Sequence, residues 1–199
     1  MKIFLDTADT SIITKHFASG LIDGVTTNPT LIRKSGRDPL EVYQELKDLG
    51  LQDISMEVVG DADEMIKEGK GLYDTFGDCC TVKVPCSPDG LRACKELSDL
   101  NIRVNVTLIF SQVQAILSAK AGATYVSPFV GRVDDNSFGG ICLVKDIVNV
   151  FREHFTKTQV LAASIRNVRD VGRLFEHGAE IVTMPPAVFE KMYNHILTD

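Results

Sequence analysis

The chain has 199 residues, 44% of them hydrophobic and 24% charged, which is typical of one globular domain with a buried core. Its formal net charge of −6 argues against a nucleic acid or an anionic membrane surface as a partner, but it is compatible with small anionic substrates. No apolar run approaches the ~20 residues of a membrane span, and the cysteines and histidines lack metal-ligand spacing, so we expect a cytoplasmic protein with reduced thiols and no metal.

Short segments rich in β-formers alternate with helix-like segments from one end of the chain to the other. In chain order, the strand candidates are residues 2–6, 24–28, 54–59, 81–85, 103–109, 124–130, 159–165 and 180–184. The clearest helix candidates between them are residues 39–49, 62–76, 111–121, 140–155 and 167–177. Helix ends are predicted by N-caps at Asp38, Ser87 and Asn167 and by helix-stopping glycines at Gly50, Gly122 and Gly178.

This alternation of eight strand–helix units predicts the α/β class and a single-domain (β/α)8 TIM barrel over residues 1–199. A doubly wound open sheet is the alternative, but it usually carries a glycine-rich turn after its first strand. Here that turn reads Asp6-Thr7-Ala8-Asp9, with no glycine. No linker or clear internal repeat divides the chain, so one barrel domain is the prediction.

Successive side chains of a strand point to opposite faces, and in a barrel one set faces the helices while the other faces the interior. In the fourth strand, for example, Val82 and Val84 oppose Lys83. Across the first seven strands one set is almost wholly aliphatic, and the other gathers polar residues, mostly late in their strands: Asp6, Asn28, Glu57, Lys83, Asn105, Thr107 and Ser127. Because barrel active sites lie at the C-terminal ends of the strands, we predict a catalytic or ligand site there.

Lys83 is the candidate nucleophile of this set. A buried lysine without a fixed counterion loses its proton more readily, and a neutral amine can attack a carbonyl to form a Schiff base. The alternative is a structural ion pair of Lys83 with Glu57 or Asp6. For Schiff-base chemistry, Glu57 and Thr107 could hold one water, and Asp6 could be the base for carbon–carbon cleavage. No metal or cofactor is needed, because the iminium is itself the electron sink.

The remaining polar groups suit a phosphorylated polyol. Neutral hydrogen bonds for hydroxyl groups are offered by Asn28, Asn105, Ser127 and Ser164. Arg132 and Arg166 follow the sixth and seventh strands, and paired guanidinium groups suit a phosphate. The alternative is two solvated surface arginines, with Asp134 or Asp135 neutralising Arg132.

With these residues identified, the chain resembles the transaldolase family, in particular the short single-domain subfamily that also contains fructose-6-phosphate aldolase. The matching segments are FLDTAD at 4–9, GVTTNPTL at 24–31, TVKVP at 81–85, NVTLIF at 105–110, YVSPFVGRVDD at 125–135 and LAASIRN at 161–167. The resemblance implies a barrel of the class I, Schiff-base aldolase type that transfers a dihydroxyacetone unit between sugar phosphates. The implied donors are fructose 6-phosphate or sedoheptulose 7-phosphate, and the implied acceptors are erythrose 4-phosphate or glyceraldehyde 3-phosphate. The implied setting is the pentose phosphate pathway, with a cytoplasmic homo-oligomer that needs no cofactor.

The resemblance also implies a role for each candidate residue, by its position in the motifs. Lys83 would form the Schiff base, and Asp6 would be the acid/base group for bond cleavage. Glu57 and Thr107 would hold the catalytic water. Substrate contacts are implied for Thr26, Asn28, Asn105, Ser127, Phe129 and Ser164, and phosphate contacts for Arg132 and Arg166.

Two positions separate the two activities of the family. The aldolase branch carries Gln where Glu57 stands and Tyr where Phe129 stands, and a phenylalanine has no proton with which to release the enamine. Both positions favour transaldolase. A fructose-6-phosphate aldolase is the alternative, and a non-catalytic sugar-phosphate-binding barrel is a more remote one.

Overall fold

Eight parallel strands close into a barrel in the computed structural model, which describes residues 1–198. The strands are β1 (Lys2–Asp6), β2 (Gly24–Thr26), β3 (Ile54–Glu57), β4 (Cys80–Pro85), β5 (Val104–Ile109), β6 (Tyr125–Pro128), β7 (Gln159–Ala162) and β8 (Ile181–Met184). Each strand pairs with the next along the chain, and β8 returns to β1, where Phe4 lies beside Thr183. The predicted (β/α)8 barrel is therefore confirmed, because a doubly wound sheet would stay open at its edges.

Helices follow every strand and surround the barrel. They are α1 (Thr10–Phe17), α2 (Pro29–Ser35), α3 (Pro39–Asp48), α4 (Ala62–Phe76), α5 (Pro88–Asp99), α6 (Gln112–Lys120), α7 (Val130–Asp135), α8 (Gly140–Glu153), α9 (Val168–Glu176) and α10 (Pro186–Lys191). Within residues 1–198, none of these helices combines the length and the apolar character that crossing a membrane requires.

Both kinds of predicted helix end are confirmed. Side-chain oxygens accept hydrogen bonds from backbone N–H groups of the first helical turn at Asp38, Ser87 and Asn167. The glycine stops have positive φ angles, at Gly50 (96°), Gly122 (91°) and Gly178 (92°). Glycine enters this left-handed region without a steric penalty, because it has no Cβ atom. Local sequence signals therefore decide where these helices begin and end.

Four strands end earlier than their alternating patterns predicted. They are β2, β3, β6 and β7, whose last residues are Thr26, Glu57, Pro128 and Ala162. After β2 and β6 the chain turns at once into a helix, with Asn28 as the N-cap of α2 and Phe129 as that of α7. Several predicted site residues are consequently carried on turns that follow the strands rather than on the strands themselves.

The two faces of the strands build two cores. The aliphatic face packs against the helices in one large buried cluster, to which Val82 and Val84 belong. A second, separate cluster consists of Phe4, Tyr125, Leu161 and Ile181, which lie in the half of the barrel interior nearer the N-terminal ends of the strands. Leu161 faces the interior, so strict alternation along β7 would point Ser164 toward the helices. Ser164 nevertheless lines the cavity, because the chain turns after the strand has ended, where Ser164 has a φ of 61°.

A buried carboxylate closes the N-terminal end of the barrel. Asp53 accepts hydrogen bonds from Thr81 Oγ1 at 2.8 Å, the Tyr125 hydroxyl at 2.6 Å and Arg103 Nη1 at 2.7 Å. Burial, followed by the charge of Asp53, raises the pKa of Tyr125, so this phenol stays protonated and donates. These three hydrogen bonds satisfy the Asp53 carboxylate at the N-terminal end, and barrel active sites lie at the opposite, C-terminal end.

Candidate active site

A cavity of about 150 Å³ opens at the C-terminal end of the barrel. It is lined by Asp6, Thr26, Asn28, Lys83, Thr107, Ser127, Phe129, Arg132, Ala163, Ser164 and Thr183. Most of the residues predicted to form a site are therefore brought together here. Three predicted residues, Glu57, Asn105 and Arg166, do not line the cavity, and each has a different structural reason.

Lys83 is buried, with 6% of its surface exposed, and its amine is held by two acceptors. Its Nζ lies 2.9 Å from Glu57 Oε2 and donates to the backbone carbonyl of Thr27 at 3.0 Å. The expectation of a lysine without a fixed counterion is therefore wrong for the unliganded site. The alternative ion pair with Glu57 is present, because Glu57 and Lys83 are direct neighbours in the register of β3 and β4.

Glu57 contacts the site through Lys83. Its side chain is 15% exposed and faces a neighbouring groove between α2, α3 and α4 rather than the cavity. Lys83 therefore lines the cavity, whereas its ion-pair partner Glu57 lines the neighbouring groove. This arrangement allows Glu57 to exchange a proton with a group bound to the amine without occupying the space of the substrate.

Asp6 is a second carboxyl group in the same cavity. Thr26 Oγ1 donates a hydrogen bond to Asp6 Oδ1 at 2.8 Å. Burial raises the pKa of Asp6, and the charge of Lys83 and the hydrogen bond from Thr26 oppose that rise. A carboxyl group with a raised pKa can both accept and return a proton, which suits an acid/base role.

Thr107 carries a polar atom without a partner. The residue is 1% exposed, and its Oγ1 makes no hydrogen bond to any described residue. A buried unsatisfied hydroxyl costs about 1–3 kcal/mol, so such an atom at a cavity wall marks a place for a water or a substrate group. This observation agrees with the predicted water site, and Glu57 lies two strands away on β3.

Asn105 lies behind the cavity wall. It is fully buried, its amide nitrogen donates to Ser55 Oγ at 3.2 Å, and its amide oxygen accepts from Ser127 Oγ at 2.7 Å. Ser127 does line the cavity, so Asn105 orients a cavity residue rather than forming the wall itself. Ser55 had not been included in the predicted site, although it shares the strand face of Glu57.

The amide oxygen and the amide nitrogen of Asn28 have different roles. Its Oδ1 caps α2 by accepting from the backbone N–H groups of Thr30 at 3.1 Å and Leu31 at 3.0 Å. Its NH2 group makes no hydrogen bond within the described residues and is available at the cavity. The helix cap thus holds Asn28 as a donor, which suits the lone pairs of a substrate hydroxyl.

The two predicted phosphate arginines differ in the structure. Arg132 lines the cavity, with its guanidinium carbon 5.0 Å from the centre of the Phe129 ring, and makes no ion pair within residues 1–198. Arg166 pairs with Asp135 through two hydrogen bonds, at 2.9 Å and 2.5 Å. The alternative in which Asp134 or Asp135 neutralises Arg132 is wrong, because Asp134 instead accepts from the backbone of Gly140.

Thr183 is a cavity residue that the sequence analysis missed. Its Oγ1 lies 2.7 Å from Thr26 Oγ1, and the residue is 3% exposed. The signal was present, because Thr183 opposes Val182 and Met184 in the last strand candidate. The alternation of faces is assigned only for the first seven strands, and the same rule applied to the eighth strand predicts this hydroxyl at the interior.

Together these groups can carry out covalent chemistry on a carbonyl compound. A buried amine stands beside one carboxylate, a second carboxyl group with a raised pKa shares its cavity, and an unpaired hydroxyl and a free amide NH2 face the same space. An arginine without an ion pair to any described residue stands at the rim. A catalytic amine, proton-transfer groups and an anion-binding group are thus all present within one cavity.

Comparison with known proteins identifies the family of the chain. The family described as Transaldolase/Fructose-6-phosphate aldolase matches residues 3–199. A probable transaldolase of Paracoccus denitrificans (strain Pd 1222) is 51% identical over all of this chain and 92% of its own length. Probable transaldolases of Caulobacter vibrioides (strain NA1000 / CB15N) and Anaeromyxobacter sp. (strain K) are each 50% identical with the same coverage. The resemblance predicted from the motifs is thus confirmed, and the chain belongs to the transaldolase/fructose-6-phosphate aldolase family.

Proposed function

We propose that this protein is a transaldolase that moves a dihydroxyacetone unit from one sugar phosphate to another through a Schiff base on Lys83. The donors would be fructose 6-phosphate or sedoheptulose 7-phosphate, and the acceptors erythrose 4-phosphate or glyceraldehyde 3-phosphate. The observation that carries the proposal is the Lys83 amine, which borders the cavity between Glu57 and the Thr27 carbonyl. Family membership and the names of the relatives support it.

The contacts of Lys83 suit a nucleophile. A neutral amine has two N–H bonds and one lone pair. If those two bonds keep the acceptors seen here, Glu57 Oε2 and the Thr27 carbonyl, then the position of the third proton becomes the position of the lone pair. Because Lys83 lines the cavity, we infer that this position faces it, where the ketose carbonyl would bind. The ion pair thus orients the amine, and loss of one proton makes it reactive.

Schiff-base formation needs water to leave the carbinolamine. As the C=N bond forms, the C–O bond breaks, and the departing hydroxyl must take up a proton to leave as water. Glu57 is next to the amine, and Thr107 Oγ1 is the buried hydroxyl without a partner. We assign Glu57, which takes up the proton that Lys83 loses, as the group that then delivers it to the departing hydroxyl through a water that Thr107 holds.

Carbon–carbon cleavage follows on the Asp6 side of the cavity. The base removes the proton of the hydroxyl on the carbon beyond the breaking bond, the bond electrons move into the iminium, and an aldehyde leaves while an enamine stays on Lys83. Thr26 engages Oδ1 of Asp6, which leaves Oδ2 for the substrate. The raised pKa of Asp6 suits the return of this proton to the acceptor.

Binding groups complete the site. The free NH2 of Asn28 and the hydroxyls of Ser127 and Ser164 are placed to contact the donor hydroxyls. Arg132 is the group that we assign to the phosphate, because it lines the cavity without an ion pair to a described residue. Arg166 can take part only if its pair with Asp135 opens, so its contribution should be the smaller one.

Phe129 favours transfer over release. Its ring packs against Phe110 at a centroid distance of 5.8 Å and against Arg132, and it has no proton to give to the enamine. The enamine would therefore wait for an acceptor aldehyde. We further propose that the enzyme acts in the cytoplasm, in the pentose phosphate pathway and as a homo-oligomer, and these three points rest on the resemblance to the family alone.

Borohydride trapping tests the mechanism. Incubation with fructose 6-phosphate and borohydride, followed by peptide mass spectrometry, should find a reduced three-carbon or six-carbon adduct on Lys83. An unmodified Lys83 under turnover conditions would overturn the proposal. Lys83→Met is the matched control, because it should abolish both adduct and turnover. Assays with and without an acceptor aldehyde separate the two family activities, since free dihydroxyacetone would accumulate without an acceptor only for an aldolase.

A further inference from the structure

Three neighbouring strands carry a chain of hydroxyl groups that ends on Asp6. Thr183 on β8, Asp6 on β1 and Thr26 on β2 all line the cavity, and β1 lies between the other two strands. Thr183 Oγ1 is 2.7 Å from Thr26 Oγ1, which in turn is 2.8 Å from Asp6 Oδ1. Both threonines are at most 3% exposed, so bulk water does not compete for these bonds.

The number of protons gives this chain a direction. A threonine hydroxyl has one proton and can donate one hydrogen bond. When Asp6 is ionised, Thr26 uses its proton on Asp6 Oδ1, so it can only accept from Thr183. Thr183 must then be the donor of the second bond. A hydroxyl without that neighbour would be free to rotate and to turn its proton away from Asp6.

Other charged groups near Asp6 do not replace this chain. Lys83 on β4 and Glu57 on β3 both act on the carboxyl group through their charges, in opposite directions, and they are paired with each other at 2.9 Å. Thr26 is the side chain that hydrogen-bonds to Asp6 within residues 1–198. Burial raises the pKa of Asp6, so the bond from Thr26 is needed to oppose that effect.

We propose that Thr183 is a positioning residue of the reaction, which orients the Thr26 hydroxyl toward Asp6 Oδ1 and so keeps Asp6 ionised with Oδ2 open to the substrate. The inference rests on the proposed function, because it takes Asp6 as the base for bond cleavage. Thr183 acts through Thr26 and needs no contact of its own with the substrate.

Thr183→Val tests the proposal, because it removes the hydroxyl and preserves the shape of the side chain. We expect kcat to fall about threefold to tenfold and the acidic limb of the kcat/KM profile to move up by about half a pH unit. Changes of this size correspond to the loss of one neutral hydrogen bond that acts on Asp6 indirectly, through Thr26. Thr183→Ser should restore both. If the valine variant does not fold, Thr183→Ala removes the same hydroxyl with less crowding.

A matched control separates positioning from general damage. Thr81 is also fully buried, and its hydroxyl donates to a different carboxylate, Asp53, at the closed end of the barrel. Thr81→Val should lower the melting temperature and leave the pH profile unchanged. A profile that moves equally in Thr81→Val and Thr183→Val would overturn the inference, since the shift would then report only a loosened barrel.

A double-mutant cycle tests the route through Thr26. In a Thr26→Val background, Thr183→Val should produce no further shift of the acidic limb, because the intermediate hydroxyl is gone. An additive shift would refute the positioning role. Failure of this inference is distinct from failure of the proposed function. If the wild-type protein forms the adduct on Lys83 but Thr183→Val has the same pH profile as the wild type, only this inference is ruled out. A wild type without the adduct rules out both.

Discussion

Removal of the charge of Glu57 should destabilise the barrel through the lysine left behind. The two side chains are only 7% and 15% exposed, and their charged atoms are 2.9 Å apart. Breaking a buried pair by removing one partner costs about 3–5 kcal/mol, because the remaining charge is buried without compensation. For a chain of this size, 1 kcal/mol lowers the melting temperature by about 2–4 °C, so Glu57→Gln should lose about 6–20 °C.

The assay is thermal and urea unfolding of Glu57→Gln, Lys83→Met and the double variant, which measures stability independently of turnover. The double variant should lose about 1–3 kcal/mol less free energy of unfolding than the two single variants lose in sum, because it removes both charges. Asp99→Asn is the matched control: Asp99 pairs with Lys95 on the surface of α5, where a pair contributes at most about 1 kcal/mol. Additive losses, or a Glu57→Gln variant as stable as Asp99→Asn, would refute the reasoning about the buried pair.

Three other predictions concern separate parts of the barrel. Asp6→Asn should abolish turnover and raise thermal stability at neutral pH, because the folded-state pKa of Asp6 is raised above its unfolded value. The stability gained from protonated Asp6 is present below the unfolded pKa and lost as the pH rises through the folded pKa, so the advantage of Asp6→Asn should shrink in acid. Tyr125→Phe removes a hydrogen bond to the Asp53 carboxylate and should cost about 1.5–3 kcal/mol in urea unfolding without changing kcat. Arg132→Ala should raise KM for fructose 6-phosphate about tenfold or more, and Arg166→Ala should raise it less.

Each of these predictions has a clear contrary result. Asp6→Asn less stable than wild type at neutral pH would mean that the charge of Lys83 outweighs burial. Tyr125→Phe with reduced kcat and an unchanged free energy of unfolding would place this phenol in the reaction. A larger KM effect for Arg166→Ala than for Arg132→Ala would show that the pair with Asp135 opens readily when the phosphate binds.

Much of the site was predictable from alternation along single strands. Lys83 and Asp6 were assigned to the interior face and both line the cavity. The rule failed where the chain leaves the strand: Ser164 reaches the cavity through its positive φ rather than through the period of β7. It also left out Thr183, although the same rule applies to β8 as well as it does to the other strands.

Charge pairing was the least predictable feature. Lys83 had Glu57 and Asp6 as candidate partners, and the structure pairs it with Glu57. The aspartates after β6 were candidates to neutralise Arg132, and the structure instead pairs Asp135 with Arg166. Lysine and arginine have long, flexible side chains, so residue type and order along the chain leave several partners within reach.

The amino-acid sequence by itself determined the alternation of strands and helices, the helix caps and the concentration of polar groups at one end of the strands. These properties depend on residues a few positions apart, through side-chain period and hydrogen bonds to the local backbone. Only the tertiary structure decided which of the polar groups touch. Barrel closure brings β8 beside β1, so Thr183 meets Thr26 and reaches Asp6 across more than 150 residues of chain. Contacts of that kind depend on strand register and on the rotamers of facing side chains, which no local pattern specifies.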